Sequence, residues 1–193
     1  KEIASHLDIS LPSVTSMIQA LSDDELVDYQ PYQGVKLSEK GRKQALKVIR
    51  NHRLIEVFLV QTLGYSWDEV HEEAEQLEHA VSQKLVSRID SFLSEPRIDP
   101  HGDPIPTEEG EIKHPNWIPL SDVEEEESVR IERVLDQQPE LLRYLDEHGL
   151  TLDTTVSVER VLPFDGQMHL EVDGNEVAIS RVIASKLLVS RPD

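Results

Sequence analysis

The chain has 193 residues, 38 % of them hydrophobic, with no cysteine and a formal net charge of −19. That length suits one or two domains, or three small ones. The missing thiol excludes disulfides, thiolate metal sites and cysteine nucleophiles, and no apolar run approaches the ~18–20 residues of a membrane span. The charge is uneven: residues 1–53 hold eight Lys/Arg against seven acids, and from Lys36 to Arg53 seven basic residues stand against one acid. A locally basic start on an acidic body is compatible with binding phosphates there, and equally with a mixed solvated surface.

The chain opens at "KEIASHL" without a methionine and shows no signal peptide, so it reads as a fragment or as a chain that has lost its start. "KEIASHLDIS" predicts a short helix with Ile3, Ala4 and Leu7 on one face. A second helix follows, with Ser10 as N-cap and Pro12 in its first turn. Val14, Met17, Ile18 and Leu21 form its apolar stripe, leaving Ser13, Thr15, Ser16 and Gln19 toward another face. Two short helices joined by a tight turn make a helix-turn-helix candidate, and small polar side chains near the second helix's start suit base edges and phosphates. "LVDYQPYQGVKLSEKG" predicts a loose hairpin, the addition that defines the winged variant. Gln33 and Lys36, at or near its tip, are the wing's expected DNA-facing groups.

A long helix is predicted from about Ser38 to Leu63, with Ala45, Val48, Ile49, Ile55, Leu59 and Leu63 as its buried stripe and Gly64 as its stop. "SWDE" at 66–69 has the capping-box pattern and introduces the next helix. Ser82 caps a further one through Leu93, with Leu85, Ile89 and Phe92/Leu93 inward. These helices offer an apolar surface suited to dimerisation or, equally, to a monomer core. Residues 95–127 hold six of the eleven prolines and read as a linker or extended crossing. From Ser128 onward, strands dominate. A helix at "PELLRYLDEHG", stopped by Gly149, interrupts a small β-barrel-like domain.

The chemistry concentrates in "HEEAEQLEHAVS". On a helix, His71, Glu75, Glu78 and His79 fall on one side, while Glu72 and Glu73 point elsewhere. His52 and Glu56 repeat the spacing on the preceding helix. If the two helices pack antiparallel, six N/O ligands converge on one or two metal ions. A solvated acidic helix is the competing reading. An all-N/O set rich in carboxylates suits Mn²⁺ or Fe²⁺, although the affinity order still favours Zn²⁺ and Cu²⁺. A di-iron carboxylate enzyme needs two Glu-x-x-His motifs, and this helix has none. A metal-independent winged-helix dimer is a third reading.

The stretches "SLPSVTSMIQAL", "GVKLSEKGRKQAL", "NHRLIE", "VHEEAEQLEHAVS" and "DPHGDPIP", in that order, resemble the diphtheria toxin repressor family of metal-dependent transcriptional regulators, especially its manganese-responsive members. The resemblance covers essentially the whole chain. It implies a mainly α protein with a C-terminal all-β domain: a winged helix-turn-helix over 1–45, a helical metal-binding and dimerisation domain with its Pro-rich linker over 46–120, and an SH3-like (FeoA-type) small β-barrel over 121–193. It implies a cytoplasmic regulator, a repressor in metal-ion homeostasis, that binds a palindromic double-stranded operator as a homodimer. No enzymatic activity, small-molecule substrate or membrane association is implied.

Carried over by the resemblance, Glu75, Glu78 and His79 match a primary metal position, and His52, Glu56 and His71 an ancillary one. In manganese-type members His52 and Glu75 instead join a closely spaced pair of metals. Gln137 and Glu140 fall where the SH3-like domain lends ligands in iron-responsive members, but in reversed order. Glu75 stands where those members have cysteine, which tilts the expected cofactor to Mn²⁺, with Fe²⁺ as the alternative. Ser10, Pro12, Ser13, Thr15 and Ser16 match family positions at the DNA. The family also has a helix before "KEIASHL" that carries a further ligand.

Overall fold

The computed structural model describes residues 2–30, 34–113 and 115–191. Helices α1 (Glu2–His6) and α2 (Leu11–Asp23) are joined by a tight turn in which Asp8 adopts φ 50°. Ser10 caps α2, its hydroxyl accepting from the Ser13 N–H, and Pro12 sits in the first turn, where no N–H partner is needed. Strands β1 (Val27–Gln30) and β2 (Gly34–Leu37) pair antiparallel, with Lys36 opposite Asp28. Gln33, expected at the wing's tip, lies outside the described residues. This unit is thinly packed. Among its described apolar side chains only Ala4, Val14 and Val27 are buried, and Ile3, Leu7, Met17, Leu21 and Leu37 are exposed around an apolar cleft of about 300 Å³.

Helix α3 (Glu39–Phe58) begins against this unit. The Ser38 hydroxyl donates to the Glu25 carbonyl and accepts from Gly41 N–H, and Lys40 Nζ donates to the Asp24 carbonyl. Gly41 is required by contact: a Cβ there would lie 1.8 Å from the Leu26 carbonyl oxygen. The helix runs on through a π-helical turn, Leu59–Leu63, and stops at Gly64, whose φ of 75° is the left-handed cap expected of glycine.

Helices α4 (Val70–Glu78) and α5 (Gln83–Phe92) pack on different sides of α3. Ile55 and Leu59 meet Val70 and Ala74 of α4, while Leu54 and Val57 meet Val86 and Ile89 of α5. A single stripe therefore does not describe α3. Leu63 is exposed rather than inward, because the π-turn carries it beyond both neighbours. Leu85 and Phe92 of α5 also face outward, and Val86 and Ile89 take the core. The Ser66–Glu69 pair does not cap α4: Ser66 Oγ donates to Glu69 Oε2 at 2.8 Å, a turn intervenes, and α4 starts only at Val70 with no side-chain cap.

The proline-rich segment is not a solvated linker throughout. Residues 101–106 are buried. The loop closes on itself through the Ile98–Pro104 bridge and the Ile105 N–H to Arg97 carbonyl bond. Burial of irregular backbone demands internal partners, and Asp99 supplies them: its Oδ1 accepts from the N–H groups of His101 and Asp103.

The C-terminal part is a six-stranded antiparallel sheet in the order β3 (Ile118–Pro119), β8 (Leu187–Ser190), β4 (Ser128–Val134), β5 (Thr155–Val161), β6 (Met168–Val172), β7 (Asn175–Ile179). Alternating residues such as Val129, Ile131, Val156, Val158, Leu170 and Val189 face one core. It is completed by Leu142 and Leu145 of α6 (Pro139–Glu147) and Ala184 of α7 (Arg181–Ala184). Bulges shift the register between Ile131 and Arg133 and between Val158 and Arg160, the local device that bends strands around a small core.

Candidate metal centre

His52 and Glu56 sit one turn apart on the buried half of α3, and His71 enters from the first turn of α4. Glu56 Oε1 lies 3.0 Å from His52 Nε2 and 3.2 Å from His71 Nδ1, and those two nitrogens are 3.2 Å apart. Three donor atoms therefore fall within 4.8 Å of one another. Glu78 closes the far side of His52 at 2.8 Å from Nδ1. Glu75 stands at the margin, 3.7 Å from His71 Nε2, and His79 touches Glu78 at 3.0 Å with 75 % of its side chain exposed. Glu72 is exposed and Glu73 half-buried. The six residues picked out by helical spacing thus form one connected polar cluster, dense around Glu56 and open around Glu75 and His79.

A second group shares Glu56. Asp99 and His101, from the buried loop, bring carboxylate and imidazole atoms within 4.8 Å of a Glu56 oxygen. His101 is fully buried. Its Nε2 lies 2.7 Å from the Trp67 carbonyl oxygen, an acceptor only, so Nε2 carries the proton and neutral His101 presents a bare lone pair at Nδ1. That Nδ1 has no hydrogen-bond partner among the described residues, nor do Glu56 Oε2 and Asp99 Oδ2. Asp99 Oδ2 is ion-paired with Arg53 Nε at 3.4 Å, which leaves Glu56 Oε2 and His101 Nδ1 as buried donor atoms of the kind that bind hard and borderline cations, and such atoms are costly unless something satisfies them. The donor set fits a divalent metal ion, which would be held by Glu56, Asp99 and His101 and, in the adjoining group, by His52, Glu56 and His71.

Titration properties separate the two groups. Burial works to lower the His52 pKa, but hydrogen bonds and charge from Glu56 and Glu78 outweigh it and raise the pKa above the usual imidazole value. The Glu56 hydrogen bond likewise raises His71 against burial. Glu56, although burial opposes its charge, is held down to about 2 by His52 and His71. His52, with a carboxylate at each ring nitrogen, sits when protonated in the electrostatic position a cation would take. The second group behaves oppositely. Burial, then the charges of Glu56 and Asp103, push Asp99 up to about 7, and burial lowers His101.

The remaining expected site residues lie elsewhere. Gln137 Nε2 reaches Asp103 Oδ2 at 3.4 Å, and Glu140 is exposed on α6 and paired with Arg143. Ser10, Pro12, Ser13, Thr15 and Ser16 are exposed along the start of α2, and Lys36 is exposed on β2. Residue spacing missed Asp99 and His101 as donors. Their stretch "DPHGDPIP" stood out as a motif, but no helical period marks a loop's inward-facing side chains.

Three family models match this chain: "Iron dependent repressor, N-terminal DNA binding domain" over residues 1–35, "Iron dependent repressor, metal binding and dimerisation domain" over 38–107, and "FeoA domain" over 118–191. The chain is similar to the iron-dependent repressor IdeR of Mycobacterium tuberculosis, 39 % identical over 104 residues, a match covering 54 % of this chain and 45 % of IdeR. It thus spans less than half the length of that relative. It is 39 % identical over 92 residues to a helix-turn-helix-type transcriptional regulator of Methanocaldococcus jannaschii, covering 48 % of this chain and 74 % of the relative. In three dimensions it resembles a manganese-dependent transcriptional repressor solved in complex with manganese, with a TM-score of 0.88 and 37 % identity over 98 % of this chain and 89 % of that one.

Proposed function

Because this chain belongs to the iron-dependent (diphtheria toxin) repressor family of metal-dependent regulators, we propose that it is a cytoplasmic, Mn²⁺-responsive transcriptional repressor. It binds a palindromic operator as a homodimer, and Fe²⁺ is the alternative activating ion. The winged helix-turn-helix over 1–45, the helical metal-binding and dimerisation unit over 46–120 and the SH3-like unit over 121–193 are the working division of labour. The observation that carries the reading is the convergence of two His/carboxylate groups on the buried Glu56, with donor atoms left unpaired. The all-N/O donor set, with Glu75 beside His71, favours manganese, as does the manganese complex of the similar repressor.

A bound divalent cation supplies positive charge that ties α3, α4 and the 99–106 loop together. The chain's own residues do the rest. His52, Glu56 and His71 fix α3 against α4, and the Gly41–Leu26 contact fixes α3 against the wing. Metal that favours the DNA-competent spacing of two recognition helices must itself bind more tightly when DNA is present. None of the helix residues Ser10, Pro12, Ser13, Thr15 and Ser16 is a strong bidentate base reader, and Lys36 and Gln33 are the DNA-facing groups expected of the hairpin. Affinity then comes largely from phosphate contacts and DNA shape, with steep salt dependence.

The test selects duplexes from a random pool with the protein and Mn²⁺, then measures their binding by fluorescence anisotropy with Mn²⁺, with Fe²⁺ under anaerobic conditions, and with chelator. Binding is expected only with metal, and is lost in His52→Ala and Glu78→Ala. Equal binding in chelator, untouched by either substitution, overturns the metalloregulator reading.

A further inference from the structure

The loop that carries Asp99 and His101 is clamped from both sides. From the helical side, Arg53 Nη2 lies 2.7 Å from Asp103 Oδ1, its Nη1 donates to the Pro104 carbonyl, and its Nε is 3.4 Å from Asp99 Oδ2. From the sheet side, Arg133 Nη2 lies 2.7 Å from the same Asp103 Oδ1. The Val134 N–H donates to the His101 carbonyl, and Gly102 is pressed so closely on β4 that a Cβ would lie 2.1 Å from the Glu132 carbonyl oxygen. Asp103 is in turn bonded to Asp99 twice: its N–H donates to Asp99 Oδ1, and its carbonyl accepts from the Asp99 N–H. Whatever fixes Asp103 therefore fixes Asp99. The register shift between Ile131 and Arg133 places Arg133 at a bulge, where a side chain is re-aimed off the regular sheet surface.

We propose that Arg133, a residue of the sheet domain, is a positioning residue for the second ligand group: through Asp103 it sets where Asp99 and His101 present their donor atoms to a divalent cation. The sheet domain then acts on this pocket through an ion pair rather than by lending Gln137 or Glu140 as ligands. The proposal rests on the reading of Glu56, Asp99 and His101 as metal donors.

Position and charge have opposite signs here, which makes the proposal decidable. If Arg133 acted only through its charge, its removal would lessen repulsion and tighten cation binding. If it acts by position, its loss loosens the loop and weakens binding by about tenfold, the low end for partners of metal ligands. The experiment titrates the full-length protein with Mn²⁺ by calorimetry, and with Co²⁺ to follow the visible bands of each bound ion. Wild type is expected to take two equivalents and His101→Ala one. Arg133→Gln should weaken the second equivalent about tenfold and alter its Co²⁺ bands, with the first unchanged. Arg133→Lys, a flexible point charge in place of the fork, should fall between, about threefold weaker. Unchanged or tighter second binding in Arg133→Gln overturns the proposal. If that variant fails to fold by circular dichroism, Arg133→Lys decides it, and wild-type affinity and bands there overturn it. A second equivalent that survives His101→Ala instead removes the premise, and the proposal falls with it.

Discussion

The two donor groups that share Glu56 are built on opposite principles. The group with His52 and His71 is mostly buried but open at His71, its imidazoles hydrogen-bonded to carboxylates and their pKa values raised. The group with Asp99 and His101 is buried, its carboxyl pushed toward neutrality and its imidazole Nδ1 without a hydrogen bond among the described residues. One site pairs its imidazoles with carboxylates that favour their protonated form. The other keeps two buried donor atoms, Glu56 Oε2 and His101 Nδ1, without a hydrogen bond among the described residues. Both groups meet at Glu56, only 1 % exposed, whose Oε1 lies within 3.8 Å of a nitrogen of each of His52, His71 and His101.

Breaking that shared carboxylate has the largest expected effect. Glu56→Gln should weaken Mn²⁺ at both positions by about a hundredfold, the upper range for altered metal surroundings. Retention of either equivalent in calorimetry would show that the groups do not share it.

Acidity sharpens the contrast next. Metal must displace protons from raised His52 and His71, so affinity at the first group rises with pH by up to about a hundredfold per unit and levels off once both imidazoles are neutral. At the second group only the Asp99 proton competes, giving about tenfold per unit and a plateau above pH about 7. Mn²⁺ titrations from pH 5.5 to 8 measure both slopes, and equal slopes would erase the distinction.

Stability without metal tests the unsatisfied pocket. Asp99 has its pKa raised from 3.8 to about 7 in the fold. The folded state then holds a proton the unfolded chain releases, so this group's contribution is present at low pH and is lost as pH rises through about 7. Asp99→Asn keeps an oxygen for the His101 and Asp103 N–H groups and removes the buried charge. It should stabilise the metal-free protein at pH 8 by on the order of 1–3 kcal/mol and by clearly less at pH 5, because the loss starts near the unfolded value of 3.8 and is complete only near 7. Urea midpoints at the two pH values decide this, and equal loss at both would place Asp99 in structure alone.

The smallest effect belongs to His79→Ala. Its exposed imidazole contacts Glu78 among the described residues, so Mn²⁺ at the first group should weaken less than about tenfold, and the second group should not respond in the calorimetric trace.

Helical spacing made the first group legible, because a 3.6-residue period maps sequence onto one face. Serine caps were legible for the same local reason: Ser10 and Ser82 accept from the expected N–H groups. The second group was not, since its donors lie on irregular backbone within a composition that signals turns. What buries that backbone is the Asp99 carboxylate bonding two N–H groups, together with Arg53 from a distant helix, and neither partner is periodic. The outward turn of Leu63 and Leu85 was hidden by similar logic. An apolar stripe says that a face is covered, but not which of two flanking helices covers it.

The contact between Gly41 and Leu26 has a mechanical meaning. From Gly41 to Glu56, α3 is a stiff rod of about 22 Å at 1.5 Å per residue, gripped by the wing at one end and holding the shared carboxylate at the other. Levers of that length amplify. Tilting it by about 3° at the carboxylate end displaces the far end by about 1 Å, roughly a third of the 3.4 Å step between stacked base pairs. Because no Cβ fits at Gly41, there is little slack at the grip in which such a movement could be absorbed.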